Sequence, residues 1–233
     1  MIIREPIHRP ARPRPDGRSG WSVAVGLIVL SVIPLTAGAL RLIQLAGGPA
    51  VRPADPRFDA FPTALVLHIG GSAVFALVGA FQFVPRFRRR HRNWHRRAGR
   101  ILVVTGFLVV ASALWLTLFY AAQPGTGRVL FVVRLVVAPA MAVCLVQGFV
   151  AIRRRDVARH RAWMVRAYAL ALGAGTQVFT EGLGGLVFGT GVLAGDLAKS
   201  AAWIVNLVVA EWVIRRQRVR RSDRAGATVG AVR

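Results

Sequence analysis

Two short motifs carry the residue types best suited to chemistry: His95-Arg96 with Arg100, and His160-Arg161 with Arg166. An imidazole can ligate a metal or move a proton near neutral pH, and a guanidinium fork pairs with carboxylate or phosphate oxygens. Two kinds of ligand suit this combination. One is an anion, such as a phospholipid head group or a phosphorylated small molecule, gripped where helices begin and free N–H groups add to the attraction. The other is haem b, with His95 and His160 as axial ligands and Arg96, Arg100, Arg161 and Arg166 near the propionates. Depth weighs against haem, because His95 precedes the apolar run that begins at Ile101 and so stands roughly 6–9 Å outside it.

A second polar group is expected deeper in the chain's apolar segments. His68 and Arg134 each lie about two helical turns into such a segment, and Gln177 and Glu181 close a third, so these four define an outer-half polar pocket. A buried charge in lipid costs at least ~2.5–3.5 kcal/mol and therefore faces protein. For His68 a structural hydrogen bond is the plainer expectation. Catalytic signatures are missing: there are no paired carboxylates, no HExxH, no Walker loop and no nucleophile with a neighbouring base. Cys144 is the only cysteine, which excludes an intrachain disulfide and a thiolate cluster.

The elements that must position these residues are apolar blocks of membrane length. With 55% hydrophobic residues and a formal charge of +23, the chain keeps its charges between six segments, about 22–45, 61–84, 101–121, 129–152, 162–180 and 197–214. Each approaches the ~20 residues a helix needs to cross the hydrocarbon core. Because the basic residues are confined between these segments, they read as topology and not as a nucleic-acid surface. Continuous apolar runs, without alternation, exclude a barrel. Residues 1–20 form a proline- and arginine-rich tail, 21–214 the transmembrane domain, and 215–233 a second basic tail.

Counting Arg and Lys on alternate sides gives twenty-five on the side that holds both termini, the 86–100 loop and the 153–161 loop, against five on the other. The positive-inside rule then makes both termini cytoplasmic, with anionic lipids as partners of the basic face. Glu211 is expected to pair with Arg215, and Asp196 with Lys199, as helix-end electrostatics. Asn206 is expected to bond a neighbouring helix. The glycines of 181–196 suit a turn or a close helix approach.

Laid on itself at an offset of 65 residues, the chain superposes Gln82 on Gln147, Arg88-Arg89-Arg90 on Arg153-Arg154-Arg155, and His95-Arg96 on His160-Arg161. Helices 2–3 and 4–5 would then be parallel copies about an axis along the membrane normal, forming a four-helix core in an all-α, six-helix protein.

The run LHIGGSAVFALVGAFQF, the HRRAGR and HRAWMVRAYAL motifs and AWIVNLVVAEW together resemble the bacterial membrane-protein family known as domain of unknown function 2306, over roughly residues 60 to 215. The resemblance implies a multi-pass protein of the bacterial plasma (inner) membrane and brings no assigned biochemical role. Where the family leads one to expect an arginine late in helix 5, this chain has Gln177 and Glu181. In helix count and histidine placement the chain is more weakly similar to cytochrome b561-like di-haem proteins.

Overall fold

The computed structural model describes residues 19–49, 51, 53 and 55–230, with side chains through Val219. Most of the 1–20 tail therefore lies outside the described residues. Among the described residues the fold is all-helical: α1 (Ser19–Leu45), α2 (Thr63–Gln82), α3 (Pro85–Arg90), α4 (Arg92–Phe119), α5 (Arg128–Arg153), α6 (Val157–Ala171), α7 (Gly173–Phe188) and α8 (Val192–Gly230), with one 3-10 turn at Pro56–Phe58.

Five of these helices (α1, α2, α4, α5 and α8) are long and apolar enough to cross a membrane. The surface agrees, since large apolar side chains such as Leu186 (86% exposed) and Val104 (69%) point outward, where water would penalise a patch of that size. The fifth segment, expected at 162–180, is broken at Leu172 into α6 and α7.

Packing explains the break. Ala169 and Leu170 carbonyls would be paired four residues on in an unbroken helix. Instead Asn206 Nδ2 of α8 donates to Ala169 O at 3.0 Å and Trp203 Nε1 to Leu170 O at 3.1 Å. Asn206 also accepts from Thr176 Oγ1 at 2.8 Å, so the partner expected for it is the two halves of this broken helix. Glycines let the neighbours come close. A Cβ at Gly173 would collide with the Trp203 indole, and one at Gly175 would sit 2.5 Å from the Leu30 carbonyl oxygen of α1.

The arginine-rich 86–100 stretch, read from sequence as a loop, is instead the short helix α3 and the opening turns of α4. Pro85 supplies the pre-set φ of a first helical position, and arginine is a good helix former. In the second hairpin the arginine triplet closes α5 and forms a tight turn, with Arg155 at φ +61°, so the two triplets differ in local structure. The glycine-rich 181–196 stretch is mostly helix. Its turn is short, Gly189 takes φ +78°, and Gly184 meets α8 where an added Cβ would stand 2.6 Å from Ala198 Cβ.

Three antiparallel pairs make up the bundle: α2 with α4, α5 with α6, and α7 with α8. The central cluster, including Phe75, Val110, Met141, Leu145 and Tyr168, draws on α2, α4, α5 and α6. In lipid, such contacts stabilise by packing and not by removing apolar surface from water. α1 lies outside this cluster, against α2 and α7, and α8 continues as helix beyond its apolar part to Gly230.

Candidate functional site

At the basic end, where the arginine-rich connections gather, each histidine of the paired motifs bonds back to the end of the preceding long helix. His95 Nδ1 meets Gln82 Oε1, and His160 Nδ1 donates to Gly148 O at 2.8 Å. The spans are 13 and 12 residues. Both rings are thereby fixed through one nitrogen, and each keeps Nε2. Electrostatic repulsion reaches His95 from His160, Arg88 and Arg96.

The arginines of the two motifs are not gathered into one site. Arg96 and Arg100 are exposed on α4. Arg161 and Arg166 line a cleft of about 320 Å3 between the start of α6 and the end of α8, together with Arg159 and Arg218. Neither of the latter two stood out from sequence; the spacing of Arg218 one turn beyond Ile214, where α8 leaves its apolar part, is the signal that could have marked it. Asp156 also lines the cleft, where its side chain caps α6 by accepting from the Arg159 N–H at 2.9 Å. Arg166 is committed: its fork engages Glu211 at 2.5 and 3.0 Å and its guanidinium lies 4.7 Å from the Trp163 ring centroid. Glu211 thus bonds across to α6, and not to Arg215 on its own helix as its i,i+4 spacing suggests, because a bidentate fork offers better geometry than a flexible surface pair.

The opposite half of the bundle holds a cavity of about 540 Å3, lined by residues of α1, α2, α4, α5, the α6–α7 junction and α8. His68, Arg134 and Gln177, expected to share an outer-half pocket, all line it. Glu181 is not among the lining residues; it pairs with Lys199 at 2.9 Å. Lys199 is therefore unavailable to Asp196, which is 1% exposed and accepts from the N–H groups of Gly127 (2.9 Å) and Leu130 (3.0 Å). A carboxylate from α8 so caps α5 across the bundle, which no local spacing reveals.

Polar groups concentrate at the end of the cavity nearest the 46–62 and 120–127 connections. Ser112 Oγ donates to Leu108 O at 2.7 Å and lies 3.1 Å from His68 Nδ1, and the His68 ring also bonds the Val109 backbone. Arg57, whose place in the sequence marks it only for topology, also reaches the wall, with its fork on Asp55 at 2.6 and 2.8 Å. That pairing holds the Asp55 carboxyl below the usual carboxylate range, against an opposing effect of burial.

Residues 65–214 match the family model described as predicted membrane protein DUF2306, a region that contains both histidine motifs, Arg134 and the α6–α8 contacts. The chain belongs to the DUF2306 family. No curated protein and no solved structure matches it. The DUF2306 match begins within α2, so the α1 wall of the cavity and Arg57 lie before the matched region.

Proposed function

We propose that this DUF2306 protein crosses the bacterial plasma membrane six times, with the broken α6–α7 pair as one crossing and both termini in the cytoplasm, and that its basic face grips anionic lipid head groups. The observation that carries the reading is the α6–α8 cleft. Arg159, Arg161, Arg166 and Arg218 surround it where the apolar part of α8 gives way to its arginines, which is the depth of a lipid phosphate. Because Glu211 already holds Arg166, Arg159 and Arg218 supply the positive charge for a ligand, and His95 and His160 brace the adjoining hairpins. The parallel repeat read from the sequence is compatible with this arrangement, since both histidines bond back to the end of the preceding long helix, His95 to the Gln82 side chain and His160 to the Gly148 carbonyl, one position past the repeat's Gln147. Arg96 and Arg100 extend the same basic face toward the lipid surface.

Basic residues near an anionic surface contribute about 1 kcal/mol each, so the double variant R159Q/R218Q should lose about 2 kcal/mol, roughly a thirty-fold weaker affinity for phosphatidylglycerol nanodiscs. The α6 cap is kept, because Asp156 bonds the Arg159 backbone and not its side chain. Equal affinity of variant and parent would remove the cleft from the proposal.

A second reading, haem b between His95 and His160, is favoured by one observation. Each ring spends Nδ1 on a protein oxygen, the arrangement that orients a metal-ligating imidazole and leaves Nε2 for iron. The protein purified from haem-supplemented cells should then give Soret and α-band changes on reduction. A flat difference spectrum eliminates haem and leaves the lipid reading intact.

A further inference from the structure

The large cavity is lined by a guanidinium whose hydrogen-bond donors no described residue uses. Arg134 lines it from within the apolar part of α5, and its guanidinium makes no hydrogen bond or ion pair with any described residue. Two charged groups lie within electrostatic reach, Asp196 and Arg57, and both direct their hydrogen bonds elsewhere. Asp196 is tied to the N–H groups of Gly127 and Leu130, and Arg57 is neutralised by Asp55. Glu181, on α7 in the same half of the bundle, is taken by Lys199.

The remaining polar hydrogens at this end are largely in use. His68 is bonded to Ser112 and to the Val109 backbone, Tyr120 donates to Phe61 O, and Gln177 Nε2 to Lys199 O at 3.3 Å. Arg134 is left offering a full planar fork to the cavity, and a guanidinium fork is shaped for a carboxylate. The opposite end is lined by Phe75, Val110, Met141 and Leu170, and the hydroxyl of Tyr168 there is satisfied by Ala76 O at 2.6 Å. The volume, about 540 Å3, is within the roughly 300–1,000 Å3 of small-molecule sites.

We propose that this cavity binds an amphiphilic monocarboxylate, with its head on the Arg134 fork and its hydrocarbon body along the apolar wall toward Phe75 and Met141. The unused planar fork matches the two oxygens of one carboxylate, and the negative Asp196 within electrostatic reach disfavours a phosphate monoester carrying about −1.5 to −2. An uncharged amphiphile would leave Arg134 unpaired in a poorly solvated site, and a cationic one would be repelled. This site is in the other half of the bundle from the α6–α8 cleft and does not depend on it.

Equilibrium dialysis of dodecanoate, dodecanol, dodecyl phosphate and dodecyltrimethylammonium against the full chain in phosphatidylcholine nanodiscs, with empty nanodiscs as background, tests the assignment. Saturable binding of dodecanoate at least ten-fold tighter than the other three is expected. R134Q should abolish the preference and leave dodecanol binding unchanged. A113F, which fills the apolar part of the cavity and keeps Arg134, should weaken dodecanoate without altering the order of the four. If R134Q does not fold, the four-probe series on the parent and A113F decides alone. Absence of saturable dodecanoate binding, a preference for the phosphate, or selectivity that survives in R134Q would overturn the proposal.

Discussion

Replacing Asp196 with alanine is expected to lower the thermal midpoint of the detergent-solubilised protein by about 6–12 °C. The carboxylate is almost fully buried and closes the first turn of α5 with two backbone hydrogen bonds. Hydrogen bonds to a charged group contribute about 1.5–3 kcal/mol each, and removing the acceptor leaves two N–H groups without a partner in a dry place. A loss of roughly 3 kcal/mol corresponds to that shift for a chain of this size. D196N, which keeps one acceptor oxygen, should fall between alanine and the parent. Asp156 is the natural control, because it also caps a helix but does so at the exposed end of α6. D156A should lose only about 1 kcal/mol. Equal losses for the two alanine variants would show that the cross-bundle bond contributes no more than an ordinary surface cap.

The second large effect is expected at Gly175. A methyl group there would stand 2.5 Å from the Leu30 carbonyl oxygen and 3.1 Å from Leu30 Cγ. Backbone cannot step aside as a side-chain end can, so G175A should push α1 off α7 at a cost of about 1–3 kcal/mol. Seven residues on in the same helix, a Cβ added at Gly182 would meet nothing within 4 Å. G182A should be neutral or should stabilise by about 0.5–1 kcal/mol, the ordinary gain of alanine over glycine in a helix. Thermal midpoints of the two variants, moving in opposite directions, check this. A shift of the same sign and size in both would mean that helix propensity, and not the α1 contact, governs the site.

The legible part of this protein is what lies along the chain. Apolar length located the five long helices to within a few residues, apart from α4 and α8, which run on through basic sequence. Depth along the helices put His68, Arg134, Gln177 and Glu181 at one level; the first three line one cavity and Glu181 is paired with Lys199 outside its lining. Pairing between distant segments is what stayed hidden. Arg166 finds Glu211 45 residues away, and Asp196 finds Gly127 69 residues away, while Glu211 and Asp196 each have a suitable neighbour within four positions that local rules favour. The break at Leu172 was hidden for the same reason, because no proline or charge marks it. Its cause is the arrival of Trp203 and Asn206 from α8, and the glycines at 173 and 175 announce it only once the neighbours that need the room are known.

The broken helix also bears on how the chain is made. α6 has 15 residues and α7 has 16, each rising about 22–24 Å, short of the ~30 Å hydrocarbon layer. The first of them carries Arg159, His160, Arg161 and Arg166. Arg166, Ala169 and Leu170 are all satisfied by side chains of α8, which leaves the ribosome later. Until α8 emerges, the segment before it is a poor lodger in lipid. In the proposed six-crossing arrangement α8 therefore does more than extend the bundle: its synthesis is the moment at which the α6–α7 pair becomes stable, and a chain cut before Trp203 should lose its grip on the membrane well upstream of the cut.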